Sequence, residues 1–435
     1  MTASRGWSRS WQAGPLLLAM MLALAAPCAA RPQANVDTLM KQAGTALEAG
    51  RLREAEALLD QVVAVSPGNR DAQLQLGLVY LFTERFAQAR VLLGGVAEAR
   101  PKDLATLTQI GGAYLRVERL VDAERYLAQA VQVAPASIEA NLLLGQVYSA
   151  TRRTTLAAER FRQVIQLDPK VPHAHYYLGI TYALEGKRQE GLDELRTAVA
   201  LAPDNTGFRY YFGLALLEAG NDAEAAAELE RVVERNPGDA EARINLAWAR
   251  INVGKAREAA TLLEKLVAEQ PKNAVAWYLL GEATRRQGEV EAAIPQYERA
   301  ASLDPAMTDA LFSLGSVYYW RHDFDRAAGW FERVLAVEPE HVGSNYQLGK
   351  MALQRGQIDA AIAHLELCTG RDPGNKGAHY QLARAYQRRG DVDRAQREFE
   401  AFRALGAEVP DDSEWREQRL ERIGARPGRP RVPRQ

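Results

Sequence analysis

The sequence predicts an all-α solenoid, a stack of helix–turn–helix units. Three observations carry that expectation. Ten prolines, Pro67, Pro101, Pro135, Pro169, Pro203, Pro237, Pro271, Pro305, Pro339 and Pro373, fall 34 residues apart. With this proline numbered position 32 of each unit, position 8 is Gly or Ala in all eleven units. Position 15 is Gly in seven of them. A strict period of this size marks a repeat array and overrides the two or three globular domains that 435 residues would otherwise suggest.

The units begin at Val36, Arg70, Leu104, Ile138, Pro172, Thr206, Ala240, Ala274, Thr308, Val342 and Lys376. Each reads as two helices. Position 7 is large and apolar (Leu76, Ile110, Leu144, Leu178, Phe212, Leu246) and joins position 11 in a stripe at helical spacing. Gly at position 15, as in Gly220 and Gly254, stops the first helix. Positions 20, 24 and 27 form the stripe of a second helix, as in Ala327, Phe331 and Val334. Position 20 is Ala in ten units and Gly191 in the other, so small residues at 8 and 20 let the two backbones approach. Proline at 32 ends the second helix. Position 34 is an N-cap residue at seven junctions: Asn69, Asp103, Ser137, Asn205, Asp239, Asn273 and Asn375. Pro295 falls inside a second helix and is expected to bend it, and Gly94-Gly95 weakens another.

This pattern resembles the tetratricopeptide repeat family. Trp277-Tyr278-Leu279-Leu280-Gly281 and Leu314-Gly315…Tyr318…Ala327…Phe331…Pro339 match the family's Trp-Leu-Gly-Tyr…Ala…Phe…Pro signature. The resemblance spans residues 36–407. It implies a right-handed superhelix of eleven units, with a concave groove lined by the first helix of each.

The N-terminus carries an address. Arg5 and Arg9 precede the apolar run Pro15 to Ala26, which leads to Cys28-Ala29-Ala30. This reads as a secretory signal peptide over residues 1–30, too short for a membrane span. Lipidation at Cys28 and an uncleaved anchor are the alternatives. The expected location is the periplasm or cell envelope of a bacterium. Beyond residue 30, Cys368 is the one cysteine, so no intramolecular disulfide can staple the fold. Residues 408–425 read as a polar-faced closing helix, and 426–435 as a basic, Pro-rich, disordered tail.

No catalytic signature is present. Cys-x-x-Cys, Walker-type and His-Glu-x-x-His motifs are absent. His173 and His175 lie two apart and point to different sides of a helix. Cys368 occupies position 27 and reads as a buried, inert thiol. No cofactor and no metal is expected. With 54 basic against 55 acidic side chains, no net positive field points to nucleic acid.

Family geometry implies that positions 2, 5, 6, 9, 12 and 13 face the groove. Position 5 supplies an aromatic ladder of Tyr176, Tyr210, Tyr278, Phe312, Tyr346 and Tyr380, interrupted by Ile244; Trp248 and Trp320 add to it. The later units add Arg285, Lys350, Arg384 and Arg388. Arginine beside aromatics is a usual composition of binding hot spots. The family's carboxylate clamp needs Lys and Asn at positions 5 and 9, which this ladder lacks. The expected function is a non-enzymatic scaffold that binds a peptide or partner helix. The alternative is a glycan-binding scaffold for polysaccharide export or cell-wall assembly.

Overall fold

The computed structural model describes residues 32–406. The expected signal segment with Cys28, the closing helix and the basic tail lie outside the described residues. Twenty-two helices fill the described part, in eleven successive pairs. They run from α1 (Pro32–Glu48) and α2 (Leu52–Val65) to α21 (Lys376–Arg389) and α22 (Val392–Ala404). Odd-numbered helices are the first helices of their units and even-numbered ones the second.

Internal contacts divide the chain into two compact units, one ending at Ala219 and one starting at Gly220. The division falls between α11 (Thr206–Glu218) and α12 (Asp222–Arg235). Within each unit every helix packs on the next in the chain. Several first helices also touch the following first helix. In the N-terminal unit α5 (Leu104–Arg116) packs on α7 (Ile138–Ala150). In the C-terminal unit α13 (Ala240–Asn252) packs on α15 (Ala274–Arg286), and α19 (Val342–Gln354) on α21. Such neighbour-only packing is the physics of a solenoid, in which each pair buries its apolar face against the next.

The local chemistry explains each boundary. All seven expected N-cap side chains accept a backbone N–H of the first turn, as Asn69 does from Ala72 and Asp239 from Ala242. His341 does the same through Nδ1, accepting from Ser344 N at 3.0 Å. Position 15 is left-handed in all eleven units. Seven are the expected glycines, and Glu84, Glu118, Arg152 and His322 adopt φ of 58° to 62° in the other four.

The small residue at position 8 has a sharper role than an approach to position 20. A Cβ on Gly145 would stand 2.5 Å from Cε1 of Phe161, and one on Gly315 2.6 Å from Cε1 of Phe331. The space is taken by the large side chain at position 24. Where position 20 is also glycine the backbones come closest: a Cβ on Gly179 would stand 2.9 Å from the Gly191 carbonyl oxygen, and one on Gly191 2.9 Å from that of Gly179. Helix α16 (Val290–Leu303) continues through Pro295, whose ring is exposed.

A recurrent polar device also emerges at position 4. There a side-chain N–H donates to the carbonyl of the position-32 proline six residues earlier. Gln73, Asn141, Arg209, Trp277 and Asn345 do this to Pro67, Pro135, Pro203, Pro271 and Pro339. His175 and His379 place Nε2 at 2.9 and 3.1 Å from the Pro169 and Pro373 oxygens. A carbonyl just past a helix end has no helical partner, and this donor supplies one.

Candidate binding face

The N-terminal unit holds Tyr176 and Tyr210. Tyr176, on α9 (Pro172–Leu184), stacks on Phe208 of α11 at 4.7 Å and meets Tyr211 edge-on at 5.5 Å. Tyr210 meets Tyr211 at 5.6 Å. Tyr176 and Tyr210 are half-buried. Burial, and then the neighbouring Tyr211, push the Tyr176 hydroxyl well above the ordinary phenol range. His173 sits edge-on to Phe208, while His175 turns to Glu194, with Nδ1 2.6 Å from Oε2. The two imidazoles serve different neighbours.

The C-terminal unit holds the other ten. Trp248 and Tyr380 are 6% exposed and Tyr278 1%, so these rings support the surface from within. Phe312 on α17 (Thr308–Trp320) packs against Phe331 at 5.4 Å and His341 at 5.1 Å. Tyr346 is half-buried with its hydroxyl against Gly377, where a Cβ would come within 2.9 Å. Trp320 is 50% exposed, the most open of the ladder residues.

The cations divide into two kinds. Arg285 is committed: Nη2 donates to Glu282 Oε2 at 2.8 Å and Nε to Oε1 at 3.3 Å. Glu282, 1% exposed, also accepts from Tyr297 at 2.6 Å and Ser313 at 3.3 Å. Burial would lower the basicity of Arg285, but the hydrogen bond to Glu282 outweighs it and holds the guanidinium charged. Lys350, Arg384 and Arg388 are different. The Lys350 ammonium stands 4.9 Å over the Tyr319 ring and 5.9 Å over that of Tyr346. Arg384 lies 5.8 Å over Tyr380, and Arg388 donates through Nη1 to the Leu353 carbonyl at 2.6 Å. Among the described residues none of the three has a carboxylate within ion-pair distance.

Sequence reasoning named Arg285 but missed Glu282, the buried carboxylate that fixes it. The signal was a lone acid at position 9, where the other units carry Gly, apolar, neutral polar or basic residues. Arg286, next along, has Nε and Nη2 buried without a hydrogen-bond partner in the described structure. Cys368 is buried, and burial followed by the charge of Asp372 pushes its thiol up to about 12.

Family comparisons agree with the repeat. One tetratricopeptide repeat profile matches residues 46–109, 182–243, 216–283 and 352–419, and a second matches 108–172, 142–206 and 312–376. A further TPR repeat profile matches 281–320. No curated protein matches the chain. Among solved structures, yeast Tom70 is 12% identical over 86% of this chain and 93% of its own, with a TM-score of 0.45. A tetratricopeptide repeat protein from Parabacteroides merdae is 17% identical over 54% and 93%, with a TM-score of 0.43. YrrB, described as a TPR protein with an unusual peptide-binding site, is 18% identical over 50% and 95%, with a TM-score of 0.33.

Proposed function

The chain belongs to the tetratricopeptide repeat family, and from that premise we propose that it is an exported, non-catalytic adaptor that holds a peptide or partner helix against its first helices. Repeats of this family imply a protein-interaction scaffold. The observation that supports a binding role for this face is its composition in the C-terminal unit. Half-exposed Trp320 adjoins Tyr319, over which the Lys350 ammonium stands. An aromatic anchor beside unpaired cations is the chemistry of a hot spot. The basic and apolar stretch of residues 5–30 supports export, with the periplasm or envelope as the place of action.

A photo-crosslinking residue at Trp320 tests this in cells that export the chain. A discrete protein adduct is expected there, and none from the same residue at Val121, which is 83% exposed on α6 (Leu120–Val133). Equal labelling at both positions, or none, removes the proposal. A glycan-handling scaffold is the second reading, for which Tyr210 and Tyr211 of α11 offer partly exposed rings. Titration with envelope oligosaccharides at millimolar concentration decides it, and no heat of binding rejects it.

A further inference from the structure

We propose that the face formed by α17, α19 and α21 receives an acidic peptide segment whose carboxylates meet Lys350, Arg384 and Arg388 and whose apolar side chain lies on Trp320. This rests on the scaffold reading above and deepens it by naming the partner's chemistry.

Charge is sorted between the helices of this region. Helices α19 and α21 contain no aspartate or glutamate, and α17 has Asp309 in its first turn and no other. The same helices carry Lys350, Lys376, Arg384, Arg388 and Arg389. Apart from Asp309, the acids of these hairpins sit on the second helices α18 (Phe324–Val337), α20 (Ile358–Arg371) and α22 and in the turns between helices, and several are engaged there: Asp325 pairs with Arg355, Asp359 with Arg389, Glu366 with Arg394 and Glu340 with Arg371. First helices of the N-terminal unit show no such bias: α1 holds Asp37 and Glu48 with Lys41, and α7 holds Glu139.

The three unpaired cations share one surface. Lys350 and Arg384 occupy the same repeat position on α19 and α21, which pack side by side. Arg388 lies four residues after Arg384, on the same side of α21. Its bond to the Leu353 carbonyl holds the guanidinium in place and leaves its remaining N–H groups for an acceptor. A cluster of like charge that no neighbour neutralises repels itself until an anion binds, so the complementary partner is acidic.

The rings argue for peptide over sugar. Tyr319 and Tyr346 have the Lys350 ammonium over them, and Tyr380 has the Arg384 guanidinium. Sugar stacking needs open ring faces. Trp320 alone of these four rings is exposed, which suits one apolar side chain among carboxylates.

The test uses the full chain against a displayed library of random peptides of roughly ten residues, ~33 Å when extended. Enrichment of Asp and Glu with one large apolar residue is expected. The chain carrying Lys350→Glu, Arg384→Glu and Arg388→Glu should lose affinity for the selected peptide by about tenfold or more. It should gain affinity for the peptide with its acids changed to lysine, a rescue that an unfolded variant cannot give. Arg333→Glu, on α18, should leave binding unchanged. Selection of neutral or basic peptides overturns the proposal, as does tighter binding of an oligouronate or an oligonucleotide than of the acidic peptide. A neutral or basic protein crosslinked at Trp320 would overturn this inference while leaving the scaffold reading intact; no crosslinked protein would remove both.

Discussion

Arg285 closes on Glu282 three residues earlier on α15, and the carboxylate it meets is 1% exposed. Tyr297 from α16 and Ser313 from α17 complete the carboxylate's partners, so one buried charge ties three helices together. Taking one partner from a buried ion pair leaves the other unpaired in a poor solvent. Arg285→Ala should therefore lower the stability of the C-terminal unit by about 3 kcal/mol. Tyr297→Phe, which removes a single donor to the charged acceptor, should cost about 1.5 kcal/mol. Urea denaturation followed by circular dichroism measures both. Equal, sub-kilocalorie effects would show that the network contributes no cooperation between the helices.

Two glycine-to-alanine changes should act in opposite directions. At Gly315 the new methyl would stand 2.6 Å from the buried Phe331 ring, so the helices must part, at a cost of about 1–3 kcal/mol. At Gly95, within α4 (Phe86–Ala99), nothing lies within 4 Å of the added Cβ. Alanine there gains helix propensity and should stabilise by about 0.5–1 kcal/mol. The comparison of midpoints checks whether position 8 is small for packing with position 24.

Position 4 offers a test by transplantation. His175 bonds Glu194 and the Pro169 carbonyl, whereas one unit earlier Asn141 bonds the Pro135 carbonyl and accepts from Arg160 at 3.3 Å. Residues 194 and 160 occupy the same repeat position. His175→Ala should cost about 1–3 kcal/mol because a carbonyl and a carboxylate lose a partner. His175→Asn with Glu194→Arg should restore most of that loss. A double variant no better than the alanine would mean that the two clamps are not interchangeable.

The helical register was legible because it rests on residues with one physical use: proline that cannot continue a helix, glycine at a left-handed turn, Asn and Asp at an N-cap. The binding face was less so. An aromatic ring at position 5 reads the same in every unit, yet its exposure depends on residues at the start of the next first helix. Phe208 covers Tyr176, His341 covers part of Phe312, and Gly377 gives room for the Tyr346 hydroxyl. These neighbours are 29 to 32 residues away in sequence, so no local pattern announces them. The pairing of Arg285 with Glu282 was at hand in the spacing, but burial alone makes it a structural rather than a binding charge.

Cys368 should be unreactive while the chain is folded. Its thiol is pushed up to about 12, so the thiolate is scarce up to that pH, whereas an unfolded cysteine ionises near ~8.5. Between these values the unfolded chain loses a proton that the folded one keeps, and stability falls as pH rises through that window. Alkylation of Cys368 at pH 9, read on its own peptide so that Cys28 is not counted, should therefore track the unfolded fraction across a denaturant series. Rapid alkylation without denaturant would contradict the burial.

The four non-glycine residues at position 15 give the last prediction. His322 adopts φ 62° between α17 and α18, and Glu84, Glu118 and Arg152 do likewise in their units. An L-residue in this region pays about 1–2 kcal/mol that glycine avoids. Glycine returns part of that gain, about 0.4–1 kcal/mol, because its unfolded chain is freer. The difference leaves His322→Gly stabilising by roughly 0.5 kcal/mol, less than the steric term alone suggests. His322 also lies 5.7 Å from the Phe324 ring, a contact that glycine gives up. Glu84→Gly has no ring contact to lose on this side, so it should stabilise more than His322→Gly. Thermal midpoints of the two variants against the parent chain test the order, and a reversed order would show that the turn's ring contact matters less than its backbone.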